Sequence, residues 1–161
     1  RGVWISLSES AVTEAARKNV FARSLKTKVN VPTELALLTR TRLEQRFLGA
    51  LGLARKAGLV VTGATKTAGL VENGRAVVLI TAADAAPDGR RKMMQSVRRA
   101  GDQDALVHVE SLTSSQLGLA LGLENVIHAA LIPGAAAHSV IERARRLDLF
   151  SATERKEDGI L

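Results

Sequence analysis

The chain has 161 residues, 46% of them hydrophobic, which is enough for one ordinary domain or a small domain beside a partial one. It contains no cysteine, so disulfides and thiolate metal sites are excluded, and no apolar run approaches the roughly 18 residues of a membrane helix. A net charge of +7 predicts attraction to polyanions, nucleic acid above all.

The charge is uneven. Residues 1–49 carry nine Lys and Arg against four Asp and Glu, and residues 50–150 carry twelve against nine. The first third is therefore the expected seat of a non-specific electrostatic footprint. The rings Trp4, Phe21, Phe47 and Phe150 are too scattered to build a base-stacking platform. Nucleic-acid binding would then rely on backbone amides, cations and aliphatic contacts. The chain begins at Arg rather than Met, so a preceding segment is expected. The lack of cysteine suits a reducing compartment, and we expect a cytoplasmic one.

In chain order, Val3-Trp4-Ile5 reads as a short strand. Ser8 or Ser10 caps a helix with Val12, Ala16 and Val20 on one face. Ser24 to Pro32 is a basic connector, and Pro32 opens a long helix that Gly58 stops. Val60 lies in a strand, Leu59 to Val61. A helix from Ala64 to Glu72 follows, stopped by Asn73-Gly74. A buried strand Ala76–Thr81 comes next, then a basic helix from Pro87 to Ala100. A strand at 105–109, a helix Ser114–Leu121, a strand Val126–Ile132 and a helix from Ala136 to Leu149 complete the pattern. Strands interleaved with helices predict an α/β sandwich whose sheet is covered on both faces. The expected division is a basic segment over 1–42, the α/β domain over 43–150 and a mobile tail over 151–161.

The stretch Thr62 to Gly74, "TGATKTAGLVENG", has the strand–glycine–helix arrangement that grips phosphate. It is not a nucleotide-hydrolysing loop, because Ala64-Thr65 stand where such a loop needs Lys-Ser/Thr after its second glycine. Gly49 to Gly52 opens no helix after a strand, so a dinucleotide fingerprint is absent too. His108, His128 and His138 are isolated, Asp102 and Asp104 flank a turn, and no nucleophile–base set emerges. A non-enzymatic chain is expected, without cofactor, metal or small-molecule substrate. The free amides at Ala64, Thr65 and Lys66 remain, either as anion donors or as part of an ordinary strand-to-helix turn.

The run "LGALGLARKAGLVVTGATKTAGLVENGRAVVLITAADAAP", with "SSQLGLALGLENVIHAALI" downstream, resembles the bacterial YlxQ proteins. These belong to the kink-turn RNA-binding ribosomal-protein family of the L-seven-Ae type. The marks are Gly58, Gly63, Asn73-Gly74, Asp84, Pro87 and the Leu117–Gly122 run. Upstream, Arg1 to Val29 resembles the second half of YlxR, a small basic bacterial protein, with Arg1-Gly2-Val3-Trp4 in place of its Arg-Gly-Ala-Tyr. Together they resemble a YlxR–YlxQ fusion whose first YlxR segment would lie upstream of residue 1.

The resemblance implies a three-layer α/β/α sandwich preceded by a small basic α+β segment. It implies contact with structured RNA, kink-turn-like or ribosomal, through Gly63, Ala64, Thr65, Lys66 and Thr67. A second loop, Leu123, Glu124, Asn125 and Val126, would cover an extruded base. Arg17, Lys18, Arg23, Lys26 and Lys28 would supply the basic footprint, and Arg90, Arg91, Lys92, Arg98 and Arg99 either extend it or form a solvated helix face. Thr65-Lys66 replace the family's Asn-Glu or Lys-Gln, and Gly69 replaces a lysine. A cation cannot accept from a guanine edge, so shape and phosphate are the expected objects of recognition. The alternative expectation is a sequence-indifferent nucleoid-type DNA binder driven by the same charge.

Overall fold

The computed structural model describes residues 2–101 and 105–152. Among them are seven helices and one four-stranded sheet. The expected turn at Asp102 and Asp104, and the expected tail beyond Ala152, lie outside the described residues. No described helix is long and apolar enough to cross a membrane. The chain divides into two compact units, one of residues 1–45 and 145–161 and one of Arg46–Ala144.

In the first unit, helix α1 (Glu9–Arg17) starts where the Ser8 hydroxyl accepts from the Ala11 amide at 3.2 Å. It buries Val12 and Ala15. The helix does not reach Val20, as the periodicity suggested, because Asn19 turns left-handed and a separate helix α2 (Val20–Leu25) begins. Asparagine tolerates that conformation better than most residues. The expected strand at Val3–Ile5 does not form. A three-residue segment with no partner strand leaves its amides and carbonyls unpaired, and nothing compensates for ordering it. The basic segment is therefore helical among the described residues. Arg40, on helix α3 (Leu35–Lys56), pairs with Glu9.

The second unit is built on strands β1 (Val60–Thr62), β2 (Val78–Thr81), β3 (Val107–Val109) and β4 (His128–Leu131), in the order β1-β4-β2-β3. β4 runs antiparallel to β1 and β2, while β2 and β3 are parallel. Side chains alternate between the faces, as the pleat requires. Val78, Ile80, Ala129 and Leu131 join Phe47, Leu51, Leu117 and Val140 in one core, under α3, α6 (Ser114–Leu121) and α7 (Ala135–Ser151). Leu79 and Ala130 join Val71 and Met93 in the other, under α4 (Ala64–Glu72) and α5 (Pro87–Arg99). Both faces are thus covered, and the unit is a three-layer α/β/α sandwich. Each fully buried Leu, Val or Phe contributes about 1.5–3 kcal/mol.

The helices stop where glycine allows a left-handed residue. After α3, α4 and α6 the chain closes through Gly58, Gly74 and Gly122, with Leu59, Arg75 and Leu123 donating back to Ala54, Leu70 and Gly118.

Candidate functional site

β1, β2 and β3 run the same way, so their C-terminal ends share one edge of the sheet, and β4 begins there. α4, α5 and α6 each start just after one of those ends. Three helix N-termini, with the positive ends of their dipoles, therefore gather at this edge.

The three are not equivalent. At α6 the Thr113 hydroxyl accepts from the Gln116 amide, and the Gln116 side chain accepts from the Thr113 amide. Asp84 adds a second cap, accepting from the Ser114 amide at 2.7 Å and from its hydroxyl at 2.6 Å. Those bonds hold the Asp84 carboxyl below the usual carboxylate range, the Ser114 hydroxyl first among the causes. α5 begins with Pro87, which has no amide hydrogen to offer. α5 has no side-chain cap, but Asp88 stands in its first turn, whereas α4 carries no acidic residue there. Its cap is Gly63, no side chain closes the turn, and Ala64, Thr65 and Lys66 are exposed. Gly63 has φ +96° and ψ 148°, close to a region that essentially only glycine occupies.

The loop from Gly122 to Ile127 leads into β4 beside this turn. The Gly63 amide donates to the His128 carbonyl at 3.0 Å, and Ala82 donates to Ile127 at 2.8 Å. Asn125 is left-handed, with φ +47°. The loop folds back so closely on α6 that a Cβ at Gly118 would lie 2.6 Å from the Leu123 carbonyl oxygen. Between loop and helix lies a groove of about 520 Å3, lined by Ser115, Gly118, Leu119, Leu123, Glu124 and Asn125 among others.

The residues expected at the interface thus fall at one edge of the sheet, with two exceptions of side-chain placement. Gly63, Ala64, Thr65, Lys66, Leu123, Glu124 and Asn125 are exposed. Thr67 and Val126 are buried, at 0% and 4% exposure, so their side chains belong to the interior and not to the surface. Thr67 is the fourth residue of α4, one turn on from Gly63, where the helix faces inward. Its hydroxyl has no hydrogen-bond partner.

Sequence reasoning missed Ser115, Gly118 and Leu119. A signal was present for Leu119: Leu117 and Leu121 are buried four residues apart, so Leu119 falls on the opposite face and is 84% exposed.

The basic residues sort differently. Arg17, Lys18, Arg23, Lys26 and Lys28 are all exposed, in the first unit, with Lys18 paired to Glu14 at 2.5 Å. On α5, Arg90 is drawn inward, pairing with Glu110 and donating to the Ala82 carbonyl at 3.0 Å. Arg91 and Lys92 pair with Asp88, and Arg99 with Glu72. His108 is bonded to the Thr81 hydroxyl at 3.0 Å, and His128 is buried. No cluster of three or more metal-ligating side chains occurs among the described residues.

No protein-family model and no curated protein matches the sequence. Solved structures do match the fold. One is a protein of unknown function from Bacillus halodurans, 22% identical, with TM-score 0.52 over 64% of this chain and 97% of that one. Another is the 15.5 kDa RNA-binding protein of Giardia lamblia, 21% identical, with TM-score 0.50 over 66% of this chain and 88% of that one. Both are likenesses of fold.

Proposed function

We propose that the chain is a non-catalytic RNA-binding protein of the bacterial cytoplasm that recognises structured RNA, kink-turn-like or ribosomal, in association with translation. One observation carries the reading. The uncapped start of α4 and the Gly122–Ile127 loop meet at one sheet edge, joined by the bond from Gly63 to the His128 carbonyl. Open amides, an adjacent lysine and an apolar-lined groove supply what a sharply bent RNA offers in return: a phosphate, and a nearby base without a partner. The Giardia neighbour, an RNA-binding protein of the same fold, supports the reading. The YlxR–YlxQ resemblance supplies the finer terms, with the basic first unit adding affinity through Arg17, Lys18, Arg23, Lys26 and Lys28.

Recognition here is of shape and phosphate. The exposed polar side chains of the α4 turn are Thr65 and Lys66, a hydroxyl and a cation, and a cation has no lone pair for a base donor.

The test is fluorescence anisotropy at several salt concentrations with three ligands of equal length: a kink-turn RNA, a plain RNA duplex and a DNA duplex. A preference for the kinked RNA that persists as salt rises is the expected result. Equal binding to all three that vanishes with salt would reject it and favour a sequence-indifferent DNA-binding protein.

A further inference from the structure

Running back from the sheet edge, α4 and α5 leave a second groove between them, about 620 Å3 in volume. It is open because Ala68 and Gly69 on α4 face Gly89 and Ser96 on α5, with Met93 beside them. Packing does not demand that opening, for a Cβ at Gly69 would meet nothing within 4 Å. Glycine within a helix weakens it, so the open space is kept at the expense of helix stability. The groove begins at Thr65, on the uncapped turn, and ends at Glu72 and Arg99, with Lys92 on its rim.

Glu72 gives the groove its chemistry. Its carboxylate accepts from Arg99 at 3.3 Å, with Ser96 on the facing helix. The Ser96 hydroxyl and the Arg99 guanidinium beside it favour the ionised form, holding its pKa below the usual carboxylate range. An ionised carboxylate accepts only, at about four lone-pair sites. Arg99 uses one of them, which leaves acceptors for a ligand. Guanine presents two adjacent donors, N1–H and N2–H, on its pairing edge. Adenine and cytosine place one donor beside a bare ring nitrogen, and the single donor of uracil lies between carbonyls. Only an unpaired base has that edge free.

We propose that the α4–α5 groove holds an unpaired guanine nucleotide of the bound RNA, its donor edge on Glu72, its face on Ala68 and Met93, its phosphates near Lys92 and Arg99. The assignment rests on the RNA reading above, since Thr65 belongs to both the groove and the α4 turn.

The test uses a kink-turn RNA with one unpaired flanking nucleotide, G, A or U, with guanosine 5′-monophosphate as competitor. The full chain is compared with Gly69→Ala, Gly69→Leu and Glu72→Gln. Gly69→Leu fills the groove from a position with room for a side chain, and Gly69→Ala strengthens the helix without filling it. Thermal melts verify that each variant folds. The wild type and Gly69→Ala should prefer the G ligand by roughly ten-fold, the range of a good bidentate base contact. Gly69→Leu should bind all three alike, at the affinity the wild type has for the A ligand, and Glu72→Gln should lose most of the preference. No preference in the wild type, or one that survives Gly69→Leu, would overturn the assignment while leaving RNA binding intact. Binding of the free nucleotide without any preference among the RNAs would overturn it in favour of a mononucleotide site. Failure of the wild type to bind any of these RNAs would overturn both this assignment and the RNA reading.

Discussion

The Gly63 amide donates to the carbonyl of His128 at 3.0 Å, and this one bond ties the open turn of α4 to the loop that feeds β4. The two loops are separated by some sixty positions in sequence, yet the antiparallel pairing of β1 with β4 brings them side by side. The open amides on one loop and Leu123 on the other are then held at fixed spacing, which is what the proposed recognition of a bent RNA backbone needs.

Gly63 itself can be tested if strain and charge are separated. Gly63→Ala forces a side chain into a nearly glycine-only conformation and should cost about 1–3 kcal/mol. Gly63→Asp adds to that a carboxylate against the proposed phosphate. Melting curves should show similar destabilisation for the two, whereas RNA affinity should fall at least about ten-fold further for the aspartate variant. Equal affinities would place the phosphate elsewhere.

Thr67 offers a contrast between sequence expectation and interior placement. Its hydroxyl is buried without a partner, and a buried unsatisfied polar group costs about 1–3 kcal/mol. Thr67→Val keeps the shape and removes that group. Chemical denaturation should show a gain of about 1 kcal/mol, with RNA affinity unchanged. A loss of affinity in a stable variant would mean that Thr67 reaches the ligand after all.

Much of this fold was legible before any coordinates. α4 and α6 have the bounds read from sequence, because Gly63 and Thr113 open them and Asn73-Gly74 and Gly122 close them. Strand bounds came out too long: the apolar run Ala76–Thr81 was read whole, whereas β2 starts at Val78. Apolar character reports burial, and Ala76 is buried without pairing in the ladder. Of the site, the exposed backbone turn was legible and the grooves were not. A groove depends on which small residues face each other across two helices, and Gly69 and Gly89 are twenty positions apart. The burial of the Thr67 side chain was not legible, because local sequence gives the turn but not the helix's rotation against the sheet.

Gly118 is where the Gly122–Ile127 loop meets α6. A Cβ there would fall 2.6 Å from the Leu123 carbonyl oxygen, a backbone atom that cannot swing aside. Gly118→Ala should therefore displace the loop and cost about 1–3 kcal/mol, the usual range for overpacking. Hydrogen exchange should show faster opening of the Leu123 amide, which now bonds the Gly118 carbonyl at 2.9 Å. Unchanged exchange and stability would mean the loop carries slack that its geometry conceals.

His128 sets the pH dependence. It points to the α4–α5 face of the sheet, 3% exposed, with Nδ1 unpartnered. Burial pushes its pKa below the ordinary 6.5, and its electrostatic interactions with Arg90 and then His108 push the same way. The folded chain thus keeps the imidazole neutral at pH values where the unfolded chain protonates it. Linkage then gives full stability above about pH 6.5, falling as pH drops below that value and levelling off once the folded imidazole protonates as well. His128→Leu removes both the proton site and the unsatisfied nitrogen. It should raise stability by about 1 kcal/mol at pH 7.5 and flatten the decline between pH 7 and pH 5. Denaturation midpoints across that window decide the matter, since a variant that declines as steeply as the wild type would assign the acid sensitivity to another group.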